Sequence, residues 1–390
     1  MTEHADMHIG ARLRQVRKRR GMTQRELAAA ADVSLSLVRK LEQGEVDGTR
    51  METAHRFALA LRVPTSSLLE RDDEEPEPGR PEAWWPLQRA VQVAAEPPAE
   101  APTVEGVREV LPEARRTYFA NKLGEFSGLL VPLLRDADAL GDSTDARDVR
   151  SHLLQMAGSV LTQVRAYAAA ETALRRALDD APDRRRAAAV ITTWSWLLLR
   201  QGKLAASREL ATRWADDVEP RLSRATPEDL AAWGWLLLQA SAANLRDNRP
   251  GEAADTMRLA RAVAVMTGRE LPRGRERLTT WGPKTVGYKA AERHIVLDEP
   301  DKVLCAARRI GGDMAASTEY HRHRLDVARA HVMLRQHNEA VETLADLHAA
   351  VPEWLASQRY ARDILTDVMQ QRRTLTPEMH TLADAVGVPL

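Results

Sequence analysis

One cysteine, Cys305, stands in 390 residues. No intrachain disulfide can form, and neither a disulfide scaffold nor a cysteine-built zinc site is open to the chain; a reducing cytoplasm suits it. Charge of either sign is not in excess. The 56 Lys and Arg meet 56 Asp and Glu, so overall charge says nothing about a nucleic-acid partner and only its distribution can. Long apolar runs are missing as well. No stretch approaches ~20 uninterrupted apolar residues, which leaves no membrane span. Arg12, Arg14, Arg17, Lys18, Arg19 and Arg20 interrupt the apolar run that a secretory leader would need. Catalytic signatures are absent too: no Walker loop, no dinucleotide glycine pattern, no Gly-x-Ser-x-Gly and no His-Glu-x-x-His. His321 and His323 lie two residues apart, on different helix faces and without a third ligand, so they read as packed or solvated rather than metal-binding. The expectation is a cytoplasmic protein that is no enzyme and has no metal or cofactor.

What is present is concentrated in residues 23–44, TQRELAAAADVSLSLVRKLEQG. Thr23 can cap a short helix whose inner face carries Leu27 and Ala28. Ala31-Asp32-Val33 makes a turn, and Ser34 caps a second helix held inward by Val38 and Leu41 and ended by Gly44. That is the residue pattern of a DNA-reading helix-turn-helix. Leu35, Ser36, Arg39 and Lys40 then face outward near the start of a helix able to enter a major groove. The surrounding block reads as five helices over residues 9–69. Residues 1–69 carry 12 Lys and Arg against 8 Asp and Glu, a net charge of +4.

Seven acids, two arginines and three prolines fill residues 70–82, a composition that cannot pack a core. Residues 70–102 therefore read as an acidic, proline-rich linker, with a short helix at 83–93. From 103 to 390 the chain reads helical throughout. Trp194-Ser195-Trp196-Leu197-Leu198-Leu199 returns 39 positions later as Trp233-Gly234-Trp235-Leu236-Leu237-Leu238. Hinge segments recur at 199–203, 245–249 and 334–338, with weaker copies at 161–167 and 297–302. Such periods indicate stacked helix pairs, an α-solenoid, each pair having an apolar face too wide to bury alone.

Residues 9–69 resemble the Xre and phage-repressor helix-turn-helix family. The likeness rests on Thr23-Gln24, Leu27-Ala28, Val33-Ser34, Val38 and Leu41-Glu42-Gln43-Gly44. It implies a lambda-repressor-like five-helix domain in which Gln24 bonds a DNA phosphate and Leu35, Ser36, Arg39 and Lys40 meet base edges or phosphates. Arg25, Ser34 and Gln43 complete the expected DNA-binding set. Arg17 and Glu42 match the family's ion pair between the first and the recognition helix. Where the family often places amide side chains, this chain has Leu35 and Ser36; Leu35 could touch a thymine methyl and Arg39 or Lys40 could donate to guanine.

The helical remainder resembles tetratricopeptide repeats loosely, since its period is longer and less regular. The two resemblances together imply a class of bacterial transcription regulators. Residues 280–286, Thr-Trp-Gly-Pro-Lys-Thr-Val, also resemble a Phe-Gly-Pro-Thr-Asn-Val motif of such regulators, with Trp281 and Lys284-Thr285 departing from it. The expected fold is thus all-α, a DNA-binding domain followed by an α-solenoid of tetratricopeptide-like helix pairs. The expected partners are a double-stranded DNA operator, a second copy of the chain in a homodimer, and a peptide or small-molecule effector in a groove near Trp235, Asn244, Trp281, Lys284 and Tyr288. The alternative is an interaction scaffold or antitoxin-like protein whose solenoid grips a protein and for which DNA is secondary.

Overall fold

In a computed structural model the described residues are 8–46, 48–69, 81–93, 98, 100–274, 277–311, 317–372 and 374–389. Residues 70–80, 94–97 and 99 of the expected linker lie outside them. Among the described residues there are α-helices and two short 3-10 turns but no strand. Among the same residues no helix is long and apolar enough to cross a membrane.

The N-terminal headpiece consists of α1 (Ile9–Arg19), α2 (Gln24–Ala30), α3 (Leu35–Gln43), α4 (Met51–Leu61) and α5 (Ser66–Leu69). Leu13, Leu27, Val38, Leu41, Phe57, Leu61 and Leu68 form its own core. After a 3-10 turn at Pro81–Trp84, α6 (Trp85–Gln92) begins the helical body. The helix lies within the expected 83–93; Leu87 and Val91 are buried in the core of the body, and Arg176 holds the helix end by donating to the Val91 carbonyl.

Six helix hairpins follow. They are α7 (Val104–Phe119) with α8 (Leu123–Ala139), α9 (Thr144–Gln163) with α10 (Tyr167–Asp179), and α11 (Arg184–Arg200) with α12 (Leu204–Asp217). Then come α13 (Pro227–Arg246) with α14 (Pro250–Thr267), α15 (Pro283–Val296) with α16 (Pro300–Ile310), and α17 (Thr318–Met333) with α18 (His337–Ala350). The short α19 (Pro352–Ala356), α20 (Arg359–Gln370) and α21 (Pro377–Val386) close the chain. Each first helix packs on the first helix of the next hairpin as well as on its own partner.

One local device makes all six hairpins. A single residue adopts the left-handed conformation: Asn121, Arg165, Gly202, Asn248, Asp298 and Arg335, with φ between 55° and 78°. The next residue's N–H reaches back five positions, as Lys203 does to the Leu198 carbonyl and Arg249 to that of Asn244. The last carbonyls of the first helix are thereby satisfied and the chain reverses in about three residues. Small hydroxyls then let the arms close up. Ser207 donates to the Ser195 carbonyl and Ser241 to that of Ala253, both at 2.8 Å.

Two features shape the body as a whole. The row bends until its ends meet, where the Gly124 N–H of α8 donates to Glu353 of α19. In addition, the α14–α15 connection doubles back as a strap over the first helices of four hairpins. Arg273 lies over the Phe119 ring of α7, the Gly274 carbonyl accepts from Arg115, Leu278 joins the core around α9, Thr279 lines one cavity with Ala189 and Thr193 of α11, and the Thr280 carbonyl accepts from Trp235 of α13.

Candidate nucleic-acid interface

The helix-turn-helix geometry is built from its caps. Thr23 Oγ1 accepts from the Glu26 N–H and Glu26 accepts in return from the Thr23 N–H, a reciprocal capping box on α2. The turn needs a left-handed residue and Asp32 supplies it at φ 50°. Ser34 Oγ accepts from the Leu37 N–H to start α3, and Gly44 ends it at φ 73°. The Ser34 side chain is thus occupied as a cap. Gly10 permits the crossing of α1 over α3: a Cβ there would fall 1.6 Å from the Leu41 carbonyl oxygen. Sequence reading passed over Gly10, because nothing local marks it.

Buried Glu42 locks α3 in place. Arg17 donates to it through Nε and Nη2 at 2.6 and 2.8 Å, and also to the Met22 carbonyl. Gln24 Nε2 donates to the same carboxylate at 2.8 Å. Burial pushes the Glu42 carboxyl upward, but the bonds from Arg17 and Gln24 and the Arg17 charge outweigh it and hold it below the usual carboxylate range. Arg12 is likewise internal and donates to the Leu68 carbonyl. Two cations of the N-terminal basic run are therefore structural pins, whereas Arg14, Lys18, Arg19 and Arg20 are exposed.

On the outer face Ser36, Arg39, Lys40 and Gln43 are exposed, as is Arg25 on α2. Leu35 is half-buried against the headpiece core, which leaves only part of its side chain to the surface. A family described as a helix-turn-helix domain matches residues 8–70. The headpiece is a helix-turn-helix domain. No curated protein and no solved structure matches the chain. DNA binding by this domain, and with it a part in transcription regulation, is what the match supports.

The headpiece does not stand apart from the body. Asp247, fully buried in the α13–α14 turn, accepts from the Ser66 N–H at 2.9 Å and from Arg208 and Arg249. Asn248 donates to the Val63 carbonyl at 3.0 Å. His55 Nδ1 lies 3.1 Å from the Arg246 carbonyl; since a carbonyl only accepts, Nδ1 carries the proton. Arg329 reaches Glu52, and Asp363 pairs with Arg50. These contacts use α4, α5 and the residues flanking them, and leave the outer face of α3 open.

The five residues expected to line an effector groove are not brought together. Trp281 is fully buried, its indole N–H donating to Thr267 Oγ1 at 3.0 Å. It packs against Gly234, where a Cβ would fall 2.0 Å from the ring. The glycine inside Trp-Gly-Trp is therefore the seat of Trp281, and its groove role is corrected to core packing. Asn244 and Tyr288 are also buried, Tyr288 stacking on His323 at 4.9 Å. The Lys284 N–H is held by Glu270 on the strap. Trp235 borders a cavity between α9, α11, α13 and the strap.

Proposed function

We propose that the chain is a sequence-specific transcription regulator and not an enzyme. It would bind its operator as a homodimer, one headpiece per half-site about one helical turn apart. The observation that carries this reading is the rigid, open face of α3: Ser36, Arg39, Lys40 and Gln43 exposed on a helix pinned from behind by Arg17 and Glu42. Gln24 fits a phosphate contact in the same frame, since its amide nitrogen keeps a second N–H beyond the one given to Glu42. The body is then a tetratricopeptide-like α-solenoid that senses a signal and conveys it through the Arg246–Asp247–Asn248 turn on which the headpiece rests. Leu259, Val265 and Met266 form an exposed apolar stripe on α14, the surface best suited to the dimer contact.

The strap bears on the choice between effectors. It occupies the face that an open groove would present to a peptide or protein, which favours a small molecule over the scaffold or antitoxin-like alternative. The deciding experiment is binding of the full chain to fragments of its own promoter region at two salt concentrations, with Arg39→Ala and Lys40→Ala alongside. Loss of specific binding in both variants is expected. A Lys40 that meets a phosphate lowers the salt slope by about 1 on removal, whereas an Arg39 that reads a base relaxes specificity at one position. Weak binding that salt erases and neither substitution alters would sink the reading.

A further inference from the structure

The start of α4 touches three elements that lie far apart in sequence. Arg50 pairs with Asp363 of α20, and Glu52 accepts from Arg329 of α17. Met51 lies over Gly202 in the α11–α12 turn, where a Cβ would fall 3.1 Å from its Cε. The headpiece thus roofs the inner side of the bent row, and the residues just below the roof face one another. On α11 these are Arg200, two residues before Gly202, and Trp196, one turn earlier on the same face. Trp196 is half-buried and stays outside both core clusters that α11 helps to build. On α17, Arg322, Asp326 and Arg329 recur at the spacing of a single face. Arg322 therefore lies about two helical turns before the residue that holds Glu52, on the wall across from Arg200.

Most charges in this space are matched. Arg246 and Lys289 share Glu292, and Arg329 bonds both Asp367 and Glu52. Arg200 and Arg322 are the exceptions. Arg200 has no carboxylate partner among the described residues; the group beside it is the Tyr167 phenol. Its Nε is closed in without a hydrogen bond, but the side chain is only half-buried, so the outer Nη groups keep a surface to offer. Arg322, also half-buried, gives one N–H to the neutral Gln358 amide oxygen at 3.2 Å. Asp326, one turn on from Arg322, has its carboxyl pushed up to about 8 by burial first and Glu292 second, which leaves it mostly uncharged at neutral pH. The unmatched charge registers on Arg200. Burial first, then the Arg322 charge, bring its guanidinium down to about 10 against the pull of Tyr167.

Resting on the regulator reading above, we infer that the space between Arg200 and Arg322 is the effector site, and that it takes the tetrahedral oxyanion of phosphate, free or as the monoester of a small molecule. Guanidinium forks that approach from two walls suit an anion with acceptor oxygens on every side better than a planar carboxylate, whose acceptors share one plane. Trp196 offers its ring to whatever the phosphate carries. Binding replaces the repulsion between the two arginines with charge-assisted pairs. It also ties together the α11 and α17 walls on which Met51 and Glu52 rest, and so couples the ligand to the headpiece.

The test titrates the full chain with inorganic phosphate, phenyl phosphate and benzoate at constant ionic strength, by calorimetry and phosphorus NMR. Saturable binding of phosphate is expected, with a Kd of about 1 mM or below. Arg200→Met and Arg322→Met, which keep an apolar stem, should each weaken it about tenfold or more. Arg39→Ala should leave it unchanged, which separates the site from the DNA face. Melting without phosphate shows whether each Met variant folds, and a folded one decides for both. Phosphate should raise the melting temperature of the parent chain and of neither variant. Phenyl phosphate binding about tenfold tighter than phosphate marks a monoester as the effector; equal binding marks free phosphate. Benzoate as strong as phenyl phosphate, binding that ignores both Met substitutions, binding lost with Arg39→Ala, or no saturation by about 10 mM probe each overturns the site. Promoter affinity is measured on the same preparations, and the probe should shift it in the parent chain but not in Arg200→Met. A chain that binds its promoter but no phosphate loses the site and keeps the regulator reading. One that binds phosphate through Arg200 and Arg322 but no DNA keeps an anion site and loses the regulator.

Discussion

Glu42 is the residue on which the headpiece most depends, because three hydrogen bonds converge on one buried carboxylate. Removing one partner of a buried pair leaves the other charge uncompensated, which is worth about 3–5 kcal/mol. Arg17→Ala is therefore expected to destabilise the headpiece by about 3 kcal/mol in urea denaturation, while Arg39→Ala, on the outer face, leaves the midpoint unchanged. The pH dependence has a definite sign. A carboxyl held below its ordinary 4.5 contributes stability that is present above 4.5 and is lost as pH falls through the lower folded value. Acid should accordingly loosen the headpiece, and Glu42→Gln should remove most of that sensitivity. This pair was legible in the sequence, because both partners sit at fixed positions of a recognisable pattern. Gly10 and Gly234 were not. Their necessity comes from the Leu41 carbonyl and the Trp281 ring, which are distant in sequence, and no spacing rule reaches them. Gly234→Ala is expected to cost about 1–3 kcal/mol through overpacking and to alter the environment of Trp281, read by tryptophan fluorescence.

Among the elements, the hairpin turns were the most readable, and their readability tracked the Leu-Arg pair at 199–200, 245–246 and 334–335. Gly202 and Asn248 announce a reversal; Arg165 and Asp298 do so weakly, and the turn at Asn121 was missed because no Leu-Arg pair precedes it. The strap was illegible for a different reason. Its turn-like composition says that a helix stops, but not that the chain then crosses four other helices. Within the helices, Asp326 on α17 is an electrostatic liability. Burial first, and the nearby Glu292 charge second, push its carboxyl up to about 8. A group whose folded value is raised contributes stability that is full below its unfolded value, 3.8, and is lost as pH rises through about 8. Asp326→Asn should flatten that decline, so that its melting temperature exceeds that of the parent chain on the alkaline side.

For the whole molecule, the docking of headpiece on body matters most, and no sequence pattern foretold it: Asp247-Asn248 read as ordinary turn residues. Asp247→Ala is expected to release the headpiece, seen as a larger radius of gyration in small-angle scattering and as faster proteolysis between residues 69 and 81. Acid should act in the same direction. Burial, its largest influence, holds the His55 imidazole below its ordinary 6.5, against the opposing pull of the Arg246 carbonyl. The docked state is therefore favoured above 6.5 and loses that advantage as pH falls through the lowered value. Because headpiece and body are parts of one chain, docking is an intramolecular equilibrium. Covalent connection keeps headpiece and body at an effective concentration of about a millimolar, so the latch needs an intrinsic dissociation constant only somewhat below ~1 mM, or about 4 kcal/mol, to stay mostly closed. A tenfold swing in the docked-to-free ratio then asks for about 1.4 kcal/mol, about the size of one charge-assisted hydrogen bond such as the one from Ser66 to Asp247.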